Sequence, residues 1–223
     1  MTKTENTGLG LIKTTIERVQ NEKSLFNSAL KKLVNSTEEE LDDFLKRKIE
    51  NKTKNILRLI SGDHDLKLKA SDGSRLICQS KDTFKYYIDP DFVNWGMNKP
   101  GIASAEISVQ VHEMIENGTF MDIFQALPGN WEEKWLPQDK VVDFCDTFPN
   151  WLRQAGFATF FLVKKDENRP IDEKKPGDNL VVVIVRVHDG GLHVHVDRLG
   201  LANVWSGADH SHVVSRQLMP LEA

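Results

Sequence analysis

Between Leu11 and Val34 the apolar residues Ile12, Ile16, Val19, Phe26, Leu30 and Leu33 recur at spacings of three, four or seven, with neither Pro nor Gly between them. That period lays one apolar stripe along an amphipathic helix. Ser36-Thr37-Glu38-Glu39-Glu40 then supplies a hydroxyl cap for exposed N–H groups and acids suited to the positive end of a helix dipole. Leu41, Phe44, Leu45, Ile49, Ile56, Leu59 and Ile60 continue a stripe as far as Ser61-Gly62. The pattern predicts a helical hairpin over residues 1–62. A hairpin alone buries neither stripe well, so it is expected to dock on a protein partner or on a second copy of the chain.

Past Gly62 the period changes. Leu66 and Leu68 alternate with Lys67 and Lys69, Ser71-Asp72-Gly73 carries turn chemistry, and Arg75 to Cys78 resumes, which predicts a small β-hairpin. Residues 84–101, with Asp89-Pro90, Trp95-Gly96 and Lys99-Pro100-Gly101, predict an ordered loop. From Ser104 to Phe148 the pattern predicts helix, broken near Asn117-Gly118 and at Leu127-Pro128-Gly129. A short helix is expected over Asn150 to Ala155. Strands are expected at Phe157 to Lys164, Leu180 to His188, Leu192 to Leu199, around Val204-Trp205, and at His212 to Leu218. The turns between most of them predict an antiparallel meander, and Asp166 to Asn179 predicts a mobile charged surface loop. The fold class that follows is α+β: an N-terminal helical hairpin, residues 1–62, then a domain over 63–223 in which a helical segment packs on a C-terminal antiparallel meander.

Composition adds bounds. With 39% hydrophobic and 28% charged residues the 223-residue chain has an ordinary globular balance. The longest apolar run, Leu180 to Val185, is far short of the roughly 20 residues of a membrane-spanning helix. The first thirty residues lack an apolar signal-peptide core, so a cytoplasmic protein with no membrane association is expected. Cys78 and Cys145 are read as reduced and mostly buried. Residues 1–60 carry 12 Lys/Arg against 9 Asp/Glu and the remainder 17 against 24, giving −4 overall. That balance makes nucleic acid an unlikely partner.

The segment richest in chemistry is Val181 to Asp197. Asp189-Gly190-Gly191 marks a hairpin between two alternating runs, and a two-residue turn there pairs even-numbered residues of one strand with odd-numbered residues of the other. Val181, Val183, Val185 and Val187 then share a face with Leu192, Val194 and Val196, while Arg186, His188, His193, His195 and Asp197 share the opposite one. Such a set could bind a metal, bind phosphate or shuttle protons. An ordinary solvated polar face explains it too, and is the stronger reading. His-x-His lacks zinc-ligand spacing, so no metal and no cofactor is expected. Asp209-His210-Ser211-His212 would add imidazoles if the last strand lay beside the hairpin, although a turn accounts for it equally. His112-Glu113 lacks the second His of a zinc-protease helix. The five Trp residues are read as packing rather than as a ligand platform, and the basic residues of the second helix as a solvated face.

Trp95-Gly96, Thr119-Phe120, Phe124, Gln138, Asn150-Trp151-Leu152-Arg153, Gly156, Thr159-Phe160-Phe161-Leu162 and Val204-Trp205 together resemble a family of uncharacterised bacterial proteins, over residues 84–218. The resemblance implies no activity and no catalytic residue. The expected function is therefore a non-catalytic interaction or regulatory protein of the bacterial cytoplasm, acting through residues 1–62. The alternatives are a small hydrolase or nuclease using the His/Arg/Asp face, and a nucleic-acid-binding accessory protein.

Overall fold

A computed structural model describes residues 55–218, so the hairpin expected over residues 1–62 lies outside the described residues except at its end. That end is not helical. Leu57–Leu59 is a strand, β1, antiparallel to β4 (Ile107–Met114) with Leu57 opposite Met114 and Leu59 opposite His112. A cut after residue 62 would remove β1 from the sheet.

The expected helix-on-meander architecture is corrected in three places. β4 is a strand where helix was expected. Ile107, Val111, Met114 and Ile115 fit a helical stripe, but Ile107, Val109 and Val111 also alternate, and the β-branched residues resolve the ambiguity toward strand. Leu66–Leu68, β2, does not pair with Arg75 to Cys78; it runs antiparallel to β4, and Ile77–Gln79 is a 3₁₀ turn. The sheet is mixed rather than a meander. β5 (Ala158–Lys164), β6 (Leu180–His188) and β7 (Gly191–Arg198) are antiparallel neighbours, but β8 (His212–Arg216) crosses back to lie parallel to β5, between β5 and β4. The outer edge of β7 is occupied by β3, Tyr87–Ile88, in parallel. The order is β1-β4-β8-β5-β6-β7-β3, with β2 also on β4.

Among the described residues helix is confined to short pieces: α1 (Asp91–Asn94), α2 (Phe120–Ala126), α3 (Trp131–Lys134) and α4 (Gln138–Thr147). The expected helix after Asn150 is a 3₁₀ turn, Pro149–Trp151. Thr119 with Asp122 caps α2, and Asn130 with Glu133 caps α3, each pair closing the reciprocal hydrogen bonds of a capping box. At Gly73, with φ of +77°, a Cβ would stand 2.7 Å from the Gly101 carbonyl oxygen, so the Ser71-Asp72-Gly73 turn requires glycine for both conformation and space.

Both faces of the sheet are covered. Val183, Val185, Val194 and Val196 pack with Phe161, Val214 and, from α4, Val141, Val142 and Phe144. On the reverse, Phe160, Leu162, Val182, Ile184 and Val213 pack with Phe120, Ile123 and Phe124 of α2. The run Leu180 to Ile184 is apolar at every position because β6 lies inside the sheet with a layer on each side. Among the described residues no helix is long and apolar enough to cross a membrane.

Candidate functional site

The turn of the β6–β7 hairpin is Asp189-Gly190, with His188 opposite Gly191. From there the register runs Val187 to Leu192, Arg186 to His193, Val185 to Val194, Ile184 to His195 and Val182 to Asp197. Directly opposed residues share a face. Arg186, His188, His193, His195 and Asp197 therefore stand on one side of the sheet and the valines on the other, as the alternation predicts. The polar side is not solvated throughout: on β6, Val182 and Ile184, level with Asp197 and His195 of β7, are buried with α2.

β3 extends the polar side with residues that carry no local signal in the sequence. Tyr87 stands level with His193 in the parallel pairing, its ring 4.6 Å from the imidazole and perpendicular to it. Tyr86 stacks on His188 at 4.9 Å, and His193 and His195 lie 4.0 Å apart, all between ring centroids. Asp89, just past the strand, brings Oδ2 to 3.3 Å from His195 Nδ1 and accepts a hydrogen bond from the Val196 N–H. Arg186 lies 5.8 Å from the Trp205 ring, which itself packs on Phe120 and Phe160. A two-residue strand is too short to show a period, and its partner lies more than a hundred residues on.

Polar satisfaction is poor here. Arg186 Nε, His188 Nε2, His193 Nε2 and Trp205 Nε1 are all closed off from solvent with no hydrogen-bond partner. Buried polar atoms are normally paired, so four orphans in one cluster are held at a cost to stability. Burial, reinforced by His195, His188 and Arg186, pushes His193 down to about 4 from an ordinary 6.5. Burial also raises Asp197, against the pull of His195 and Arg186.

The other sequence candidates do not join this cluster. β8 is separated from β6 by β5, and His212 faces the valine side, its Nδ1 2.9 Å from the Trp151 carbonyl oxygen. His210 lies beside Glu113, and His112-Glu113 is on β4, not on a helix. The Trp residues are dispersed: Trp135 between Lys164 and Arg216, Trp151 against His64, Trp95 beside Arg198. Among the described residues no group of three His, Cys, Asp or Glu side chains is placed to hold a metal ion. No family model, curated protein or solved structure matches the chain.

The low His193 value sets a pH dependence with a defined sign. An unfolded His193 takes its proton near 6.5 while the folded one resists until about 4, so the unfolded state holds more protons across that window and stability falls as pH drops through it. His112 and His212, both lowered mainly by burial, act in the same direction, whereas Asp197 and Glu167, both raised mainly by burial, oppose them. His193→Asn is expected to shrink the loss of melting temperature between about pH 7 and about pH 4.5, measured by thermal melts. Superimposable wild-type and variant profiles would refute the low value.

Proposed function

We propose that the chain is a small hydrolase and that the imidazole face is its site. The observation that carries this reading is the pairing of His195 with Asp89. A carboxylate on Nδ1 favours the tautomer with that nitrogen protonated and leaves the Nε2 lone pair as a proton acceptor. The His195 side chain is 37% exposed against 16% for Asp89, so the base is open to solvent while its orienting group is sheltered. Arg186 makes no ion pair among the described residues and stands two residue pairs from His195 along the hairpin, on the same face, a cation suited to an anionic ester. His193, uncharged above about pH 4, adds no positive charge to the acceptor beside it.

In this reading His195 Nε2 takes a proton from a water molecule whose oxygen attacks the ester centre. The bond to the leaving oxygen breaks, the imidazolium is stabilised by Asp89, and its proton then passes to the departing alcohol. No serine or cysteine nucleophile is needed. The orphaned nitrogens fit the reading, because unpaired buried polar groups call for an explanation and a catalytic role supplies one.

The test is hydrolysis of p-nitrophenyl phosphate and p-nitrophenyl acetate by the full chain. His195→Ala is expected to lower kcat by about 100-fold to 10,000-fold, and Asp89→Asn to lower it with a changed pH profile, both with the melting temperature retained. Turnover that survives His195→Ala, or no turnover of either ester, would overturn the proposal.

A further inference from the structure

On the opposite side of the same hairpin, at the end away from its turn, the structure holds a cleft of about 600 Å³. Its floor is Val181, and its walls are Trp95 with Lys165, Arg169, Asp178 and Arg198. The volume is in the range of small-molecule sites. The location follows from the fold: Arg198 is opposite Val181 at the end of β7, Trp95 closes α1, and Lys165 follows β5.

The wall that carries Arg169 belongs to the segment expected to be a mobile loop, but it is tied down. Asn179 spans it, donating from Nδ2 to the carbonyl oxygens of Asp166 and Arg169 and accepting from the Asp166 N–H on Oδ1. Ile171 and Pro176 are buried, and the Ile171 N–H donates to Glu132. The loop is therefore a preformed wall.

Its charge is net positive. None of Lys165, Arg169 and Arg198 makes an ion pair among the described residues, so three cations face the cleft against one carboxylate, Asp178. Burial pushes Lys165 below its ordinary value; Asp178 opposes the shift, while Arg169 and Arg198 add to it. The Arg198 guanidinium sits 5.7 Å from the Trp95 ring centroid, making an aromatic and cationic shelf beside the apolar Val181. An anion with a flat apolar body satisfies all of these features: guanidinium groups take a phosphate bidentately, and a ring stacks on the shelf. Asp178 is left to accept hydrogen bonds from ligand hydroxyls.

We propose that this cleft binds a small phosphorylated aromatic ligand of the nucleoside monophosphate class, with its ring against Trp95 and Arg198 and its phosphate among Lys165, Arg169 and Arg198. The site lies on the other side of the hairpin from the imidazole face and stands independently of it.

Calorimetric titration of the full chain with AMP, adenosine and inorganic phosphate tests the assignment. AMP is expected to bind at least about tenfold more tightly than either fragment, with affinity falling as salt is raised. Arg169→Ala and Arg198→Ala are each expected to weaken AMP about tenfold. Arg169 is exposed, so its substitution leaves the melting temperature unchanged. His195→Ala is expected to bind AMP as the wild type does, whether or not it hydrolyses esters. Phosphate binding as tightly as AMP would reduce the cleft to a basic patch. AMP binding that is lost in His195→Ala, is unaffected by both arginine variants, or is absent altogether would overturn the proposal.

Discussion

Val185→Asp is expected to destabilise the protein by about 4 kcal/mol, a large share of a typical total stability, while His193→Ala changes stability by no more than about 0.5 kcal/mol. Val185 is fully buried in an interior strand, with Thr159 opposite it on β5 and Val194 on β7. Its face packs on Val141, Val142 and Phe144, so a carboxylate there meets apolar neighbours above and hydrogen-bonded strands on either side. The side chain must then either stay charged without a partner or take up a proton far above its ordinary range, and both cost free energy. His193 is only half-buried. Truncating it loses ring contacts with Tyr87 and His195, but it also removes an Nε2 that is buried without a partner, and the two effects offset each other. Chemical denaturation of the two variants checks the order. A His193→Ala loss equal to or larger than that of Val185→Asp would mean that the valine side is not the one carrying the core.

The hairpin was legible because two independent signals agree: Asp189-Gly190 sets the register, and alternation on both strands sets the faces. What that local logic could not supply is the environment of each face. Val182 and Ile184 share a side with Arg186, yet they are buried with α2, because β6 carries core residues there while β7, level with them, carries Asp197 and His195. Strand neighbours were equally out of reach. β8 follows β7 in sequence but lies beside β5, since β3 already holds the β7 edge, and no feature of residues 200–218 announces that crossover. For the candidate site, the imidazoles and Arg186 were visible as a cluster, but Asp89, whose carboxylate lies 3.3 Å from His195 Nδ1, was not. Its strand contributes two residues and pairs at long range. The Trp95 and Arg198 cleft was hidden for a related reason: Lys165, Arg169 and Asp178 look like a charged loop until Asn179 is seen to pin it.

A chain shortened to begin at Asp63 is expected to be insoluble or largely unfolded, whereas one beginning at Lys54 keeps a cooperative melt. The difference lies in nine residues that the periodicity of the sequence assigns to a helix; the eight of them that are described, residues 55–62, form the sheet edge and its approach. Ile56 and Leu57 are 6% and 7% exposed, and burying two such side chains is worth about 3 to 6 kcal/mol. The Ile115 N–H donates to the Ile56 carbonyl at 2.8 Å, the Ile60 N–H to that of Val111 at 2.9 Å, and the Val111 N–H to Ser61 Oγ at 3.1 Å. Removing residues 54–62 deletes these hydrogen bonds as well, a further net cost of about 0.5 to 1.5 kcal/mol each. Against a typical total stability of about 5 to 15 kcal/mol these losses are decisive, and they also bare the edge of β4 from His112 to Met114 to strand pairing with other chains. Comparing solubility, circular dichroism and melting of the two chains separates the alternatives. If both melt alike, β1 contributes nothing to the fold, and residues 55–62 belong with the segment before them rather than with the sheet.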